Sequence, residues 1–281
     1  ATITVFCGTG NNGGDGYVMA SLARQYGIAV NVVQLGDQDK VSGDALTARR
    51  LAEQDGVAFS AFSESLVLPP GVIVDALLGT GLGGEVRGDS VAAIELINNS
   101  AMPVLAVDIP SGLCSDTGRV LGLAVKAQQT VSFIGLKQGL FSGDGPEHCG
   151  HVSYAGLAVP AEVLGRVTAA SQRLSLSRLQ QHLPRRARNA HKGNFGHAMI
   201  VGGDHGMAGA AVMASQAALK VGAGLVSCAT RPEHVAAMIA RCPEVMTHGV
   251  ISGQEVEPLL DRPSVIVLGP GLGQGPWGEQ L

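Results

Sequence analysis

The sequence is poor in several features that would have marked it for other classes of function. Charged residues make up only 15% of its 281 positions and the formal net charge is -4. A nucleic-acid surface needs a basic stripe or patch. The one dense basic run, Arg185, Arg186, Arg188 and Lys192, reads as a solvated linker, so no nucleic-acid partner is expected. The five cysteines are scattered, odd in number and without a CxxC pair. That excludes a legible disulfide framework or thiolate metal site and points to reduced thiols in the cytoplasm. No apolar run approaches the ~18 residues that a membrane span requires, so no membrane partner is expected either. His148 and His151, three apart beside Pro146, make a poor metal pair. The 40 glycines follow no Gly-X-Y period, which excludes a collagen-like chain.

What is present is an alternation. Apolar, β-branched runs at 2–7, 29–35, 71–77, 103–107 and 129–134 predict strands, and helical patterns fall between them at 15–26, 41–55 and 89–99. Short, nearly continuous apolar strands separated by helices predict a parallel sheet covered on both faces. Residues 118–152 read as strand-rich and able to add edge strands. The composition changes over 161–187, where Ser, Gln, Pro184 and the arginine cluster predict a linker with a short helix at 175–183. A second alternation starts near 196, with strands at 197–202, 224–229 and 264–268 and helices at 207–221 and 231–241. The expected class is therefore α/β: a three-layer, Rossmann-like, doubly wound and mostly parallel sheet over 1–160, then a second α/β domain over 188–281.

Three loops carry the chemistry. The first, Gly8-Thr9-Gly10-Asn11-Asn12-Gly13-Gly14-Asp15-Gly16, lies between a strand and a helix. There glycines let a backbone approach a phosphate, and the helix N-terminus favours an anion. Asp15 reads either as the helix cap or as a ligand contact. In the second, an apolar strand carries Asp75 and runs into Leu78-Gly79-Thr80-Gly81-Leu82-Gly83-Gly84-Glu85; a carboxylate in such a strand needs a partner or a cation. The third is Val107-Asp108-Ile109-Pro110-Ser111-Gly112, again a strand ending in an acid. If the three strands are neighbours, Asn12, Asp75, Asp108 and Ser111 face one cleft. A dehydrogenase reading stays open on the first loop alone, because Gly8-x-Gly10-x-x-Gly13 is a generic fingerprint and Asp37 stands close to the end of the second strand. A non-catalytic binding module of the same fold stays open as well. Lys137, after the strand at 129–134, reads equally as a cleft residue or a solvated turn lysine.

GTGNNGGDGYVMA, VDALLGTGLGGE and VDIPSG, in this order and spacing, resemble the NAD(P)H-hydrate epimerase domain. His191-Lys192-Gly193-Asn194-Phe195-Gly196, Gly202-Gly203, Gly222-Ala223-Gly224-Leu225 and Gly269-Pro270-Gly271-Leu272-Gly273 resemble the start of the ADP-dependent NAD(P)H-hydrate dehydratase, which has a ribokinase-like fold. Together they are similar to the bacterial bifunctional repair enzymes. The resemblance implies a small-molecule substrate, hydrated NADH or NADPH, a potassium ion, ADP for the second domain, and a homo-oligomer. It implies substrate contacts from Asn11, Asn12, Gly13, Gly14 and Asp15, from Gly79, Thr80, Gly81, Leu82, Gly83, Gly84 and Glu85, and from Asp108, the expected catalytic group. Asn12, Asp75 and Ser111 resemble the potassium ligands. Gly209 and Gly271 are the expected substrate-side residues of the second domain, with tight-turn packing an equal reading. The chain opens directly into a strand and stops after a glycine loop, which reads as a fragment of a longer protein whose second half is inactive as it stands.

Overall fold

A computed structural model describes residues 2–183 and 185–281; Pro184, one of the linker signals, lies outside the described residues. The chain divides into one unit up to Arg173 and another from Leu174, so the first half of the expected linker belongs to the first unit.

The first unit runs β1 (Thr2–Cys7), α1 (Asn11–Gln25), β2 (Val30–Gln34), α2 (Gly43–Gln54), β3 (Ala58–Ala61), β4 (Gly71–Ala76), α3 (Asp89–Asn99), β5 (Val104–Val107), β6 (Gln129–Phe133), α4 (Gly145–Cys149), β7 (His151–Ala155) and α5 (Ala161–Leu164). Its seven strands lie in the order β3-β2-β1-β4-β5-β6-β7, and every pair is parallel. The order reverses between β1 and β4, which makes that crevice the topological switch point where open α/β sheets bind ligands. One face of the sheet buries Val5, Val32 and Val74 beneath α1, with its Tyr17, and α2. The other buries Phe6, Ile73 and Ala106 beneath Ile94 and Ile97 of α3. Strands apolar on both faces and helices on each side give the three layers expected.

Three details depart from the sequence reading. Helix α1 starts at Asn11, four residues early, so the Asn-Asn-Gly-Gly stretch is helix and Asp15 is not its cap; Gly10 holds that position without a side-chain bond. The early start is possible because α1 sits almost on the sheet. A Cβ at Gly13 would lie 2.1 Å from the Gly8 carbonyl oxygen, and one at Gly14 would lie 3.0 Å from the Ala45 backbone in α2. The stretch 118–152 is mostly loop, with β6, the start of β7 and a single antiparallel bridge from Leu113 to Val120. Strand β3, a four-residue edge strand, has too short an apolar pattern to be read from sequence.

The second unit contains α6 (Leu176–Gln180), β8 (His197–Val201), α7 (Ala208–Val221), β9 (Leu225–Thr230), α8 (Val235–Arg241), β10 (Met246–Gly249), α9 (Gly253–Val256), β11 (Val265–Leu268) and α10 (Pro276–Gln280). Its strands are all parallel, in the order β10-β9-β8-β11. The order again reverses, here between β8 and β11. No helix among the described residues is long and apolar enough to cross a membrane.

The close seat of α1 predicts an asymmetry between glycines. Gly13→Ala should lower the urea midpoint of the first unit by an amount worth about 1–3 kcal/mol, since backbone must move. Gly81→Ala, whose Cβ would meet nothing within 4 Å, should change stability by less than about 0.5 kcal/mol.

Candidate active site

A cavity of about 580 Å³ opens at the carboxyl ends of the central strands. Its walls are Gly8, Thr9, Gly10, Asn11, Asn12 and Asp15 after β1, Leu35 and Gly36 after β2, Leu77 to Gly83 after β4, and Asp108 after β5. The helical ladder of α1 begins with Gly14 donating to Gly10 at 3.1 Å. The amides of Asn11, Asn12 and Gly13 therefore lack intrahelical acceptors, which suits an anion. A Cβ at Gly10, Gly81 or Gly83 would meet nothing within 4 Å. These glycines leave backbone bare toward the cavity.

Beneath this floor lies a buried polar knot. Asp75 is completely buried because it faces Phe6 of β1 and Ala106 of β5 in the middle of the sheet. Its carboxylate accepts from the Ser111 amide at 2.8 Å, the Ser111 hydroxyl at 2.6 Å and the Leu77 amide at 3.3 Å. The Ser111 oxygen in turn accepts from the Leu78 amide at 2.8 Å. Asn12 donates to the Leu78 carbonyl at 3.1 Å. The loops after β1, β4 and β5 are thus tied at one point, as their convergence in the sequence required. Among the described residues no cationic side chain pairs with Asp75, and burial pushes its carboxyl up to about 6.

Asp108 stands at the rim with φ at +66°, a left-handed conformation that Asp and Asn tolerate better than other residues with side chains. Its carboxylate accepts from the Phe133 amide at 2.9 Å and from the ammonium of Lys137. Lys137 is only 17% exposed and also donates to the Phe133 carbonyl at 2.9 Å. It is a cleft residue held by an ion pair, and the solvated-turn reading is corrected. Asp15 enters the same cavity from α1. Burial and then the Asp108 charge push its carboxyl above the usual range, while Lys137 pulls it down.

Comparison with known proteins follows the same two halves. The family model for the YjeF-related protein N-terminus matches residues 1–139, and that for NAD(P)H-hydrate dehydratase matches 198–281. The chain is 44% identical over 99% of its length to the bifunctional NAD(P)H-hydrate repair enzyme Nnr of Coxiella burnetii, and 40% identical over 98% to that of Escherichia coli. The chain belongs to the family of bifunctional NAD(P)H-hydrate repair enzymes. It spans 57% and 53% of those two relatives' own lengths. A ribokinase-like superfamily protein from Enterococcus faecalis is 33% identical over 38% of each chain, with a TM-score of 0.35. The matches give no support to an inert second half.

Within this family member the expected site residues separate into groups. Asn11, Asn12, Asp15, Gly79, Thr80, Gly81, Leu82, Gly83 and Asp108 share the cavity. Gly13 and Gly14 serve the packing of α1 instead. Gly84 and Glu85 are exposed and are not among the cavity-lining residues. Asp75 and Ser111 lie below it with Asn12. In the second unit, Gly271 has φ +65° and packs against the Met207 carbonyl, while a Cβ at Gly209 would meet open space. Asp37 turns its carboxylate to the Asp39 amide at 3.1 Å and lies 3.9 Å from Lys40 on the surface; it is not among the residues that line the cavity. His148 is committed to the Val125 carbonyl at 2.9 Å, and no metal-holding cluster of His, Cys, Asp or Glu occurs among the described residues. Lys137 is the side chain on which the sequence left two readings open and the structure decides, by its ion pair with Asp108.

The raised Asp75 pKa has a definite sign. An unfolded aspartate titrates near 4, so between about 4 and 6 the folded state holds the proton more tightly and stability falls as pH rises. The fall should total about 3 kcal/mol and level off above the folded pKa. Urea unfolding across this window in potassium-free buffer should show that slope, and Asp75→Asn should flatten it whatever its absolute stability. A slope unchanged in the variant would mean that Asp75 is not the group titrating.

Proposed function

We propose that the first unit interconverts the R and S forms of hydrated NADH and NADPH, with Asp108 at the reacting carbon. The observation that carries this reading is the single cavity at the switch point, which joins a wall of bare backbone to the Asp108–Lys137 ion pair and to Asp15. The free amides at the start of α1 and the glycines of 79–83 suit the pyrophosphate and ribose. The pair of carboxylates suits the chemistry. In the hydrated ring a hydroxyl sits on the carbon beside the ring nitrogen. Protonation of that hydroxyl lets water leave, and the nitrogen lone pair closes an iminium. Water returning to the opposite face loses a proton and completes the inversion; ring opening and reclosure would need the same proton transfers. Asp15, which retains its proton to higher pH than an ordinary aspartate, is placed to donate. Asp108, held against the Lys137 ammonium, is placed to accept and to stabilise the developing cation.

Asn12, Asp75 and Ser111 fit a potassium ion. They supply oxygen donors around a carboxylate that is buried without a cationic partner among the described residues. When bound, the ion would supply the charge that Asp75 lacks and brace the three loops tied at Leu78. For the second unit the reading is an adenine-nucleotide-dependent dehydratase that uses ADP, with Gly209 on the substrate side. The reduced cofactor pool that such repair serves points to a cytoplasmic setting.

The decisive assay is interconversion of separated epimers. Asp108→Asn, which keeps the left-handed backbone accessible, should slow it by ~10²–10⁴-fold with little change in KM. Failure of the unaltered chain to accelerate interconversion would favour a non-catalytic binding module. The ion site has its own readout. At pH 7.5, replacing choline chloride by potassium chloride at equal ionic strength should raise the melting temperature. Asp75→Asn should abolish the rise, and a shift that survives the substitution places the ion elsewhere.

A further inference from the structure

Beyond Lys137 lies a second opening in the first unit, a groove of about 920 Å³ to which nothing above assigns a role. Asp108 lines the first cavity and Lys137 lines the groove, so the two spaces are separated by one ion pair. The groove is framed by the turn after β6, by Tyr154 of β7 and by the chain from Val167 to Arg173. Ile134, Leu136 and Phe141 present apolar surface to it, and the Arg173 guanidinium lies 4.8 Å from the Phe141 ring centre.

Backbone strain is confined to the same edge. Among the described residues, those other than glycine with positive φ are Asp108, Ile134, Leu157 and Ala158. They follow the carboxyl ends of β5, β6 and β7 respectively, with the last two together after β7. A β-branched residue such as Ile134 at φ +62° is an outlier, and such strain persists where surrounding bonds enforce it, often at ligand sites. Here the enforcement is visible. The Ile134 amide donates to Ala155 at 2.9 Å, the Tyr154 hydroxyl donates to the Ile134 carbonyl at 2.8 Å, and Lys137 donates to the neighbouring Phe133 carbonyl at 2.9 Å. The turn that builds the groove also aims the ammonium at Asp108.

We infer that this groove receives the hydrated nicotinamide ring, with the reacting hydroxyl turned back to the Asp108–Lys137 pair. The inference rests on the epimerase reading and gives it a direction. A dinucleotide crossing a switch point with its phosphates on α1 lays one half toward β2 and the other toward β5 and β6. Leu35 and Gly36 bring the end of β2 into the first cavity, which leaves that side to the adenosine half. The ring half then continues past Asp108 to the ends of β6 and β7. The chemistry matches: the reduced, hydrated ring is uncharged, with apolar faces and a carboxamide, and the groove offers apolar faces with Ser115 and Gln138 beside them.

Leu136→Ala and Phe141→Ala test this by equilibrium binding to the full chain, with NADH hydrate and ADP-ribose as the two probes. Both side chains are partly exposed, at 49% and 37%, so melting temperatures should stay unchanged. Each variant should weaken NADH hydrate by ~10-fold and leave ADP-ribose, which lacks the ring, unaffected. Equal weakening of both probes would place the adenosine half in the groove and overturn the assignment. Unchanged binding of both would place the groove outside the substrate site and overturn it too. Epimer interconversion by the unaltered chain reports separately on the reaction, so a failure of the epimerase reading is distinguishable from a failure of the groove.

Discussion

A carboxylate with no exposure in the middle of a parallel sheet is unfavourable unless its surroundings compensate it. At Asp75 the compensation organises everything nearby. Both oxygens are taken by donors from Ser111 and Leu77, so the loop after β5 cannot move independently of the loop after β4. Asn12 reaches the adjacent Leu78 carbonyl from α1, and the Leu78 amide donates to Ser111. Three connections that diverge in sequence are thereby fixed at one crossing, and the cavity walls are their continuations. The residual imbalance, a carboxyl pushed up to about 6, is what a bound cation would remove. The feature that holds the site together is also the one to which the proposed potassium ion is assigned.

The glycines divide by the same logic. Gly13 and Gly14 are needed where α1 lies against the first loop and α2, and they let the helix begin early enough to point its free amides at the cavity. Gly10, Gly81 and Gly83 have open space at their Cβ positions, so packing does not account for them, and what they leave is bare backbone at the cavity wall. A glycine-rich motif in sequence contains both kinds without distinction, which is why the substrate loop read as Asn11 to Asp15 is in the structure partly a packing surface.

Alternation of apolar runs was enough to place the central strands, because a strand buried on both faces has little freedom in composition. Edge strands such as β3 and β10 escaped because AFSA and MTHG contain no apolar run, whereas the equally short edge strand β11, VIVL, is legible. The loop acids were legible since a charge at the end of an apolar strand is conspicuous. Lys137 was not, because a lysine after a turn is ordinary in sequence and its role depends on where Asp108, 29 positions earlier, comes to rest. The start of α1 was misplaced for a related reason: four consecutive residues of Asn and Gly have poor helical propensity, and only contact with the sheet and α2 makes helix the better choice there.

The site's two halves are built in different ways. Around β1 and β4 the backbone is regular and glycine-lined, and binding capacity comes from unpaired amides at a helix end. Around β5 and β6 it is strained, with Asp108 and Ile134 both in the left-handed region. That strain is sustained by bonds reaching from β6 and β7: Asp108 donates its amide to Val131 at 2.8 Å, and Ile134 is bridged to β7 at both its amide and its carbonyl. A regular strand end would direct its side chains alternately to the two helix layers. A left-handed residue there turns the carboxylate along the edge of the sheet instead, toward the ligand crevice. Regular backbone suffices to hold phosphates, which need only donors. Placing a carboxylate and an ammonium against each other at the sheet's end needs directions that a regular strand does not offer, and β6 with the edge strand β7 is the structure that maintains them.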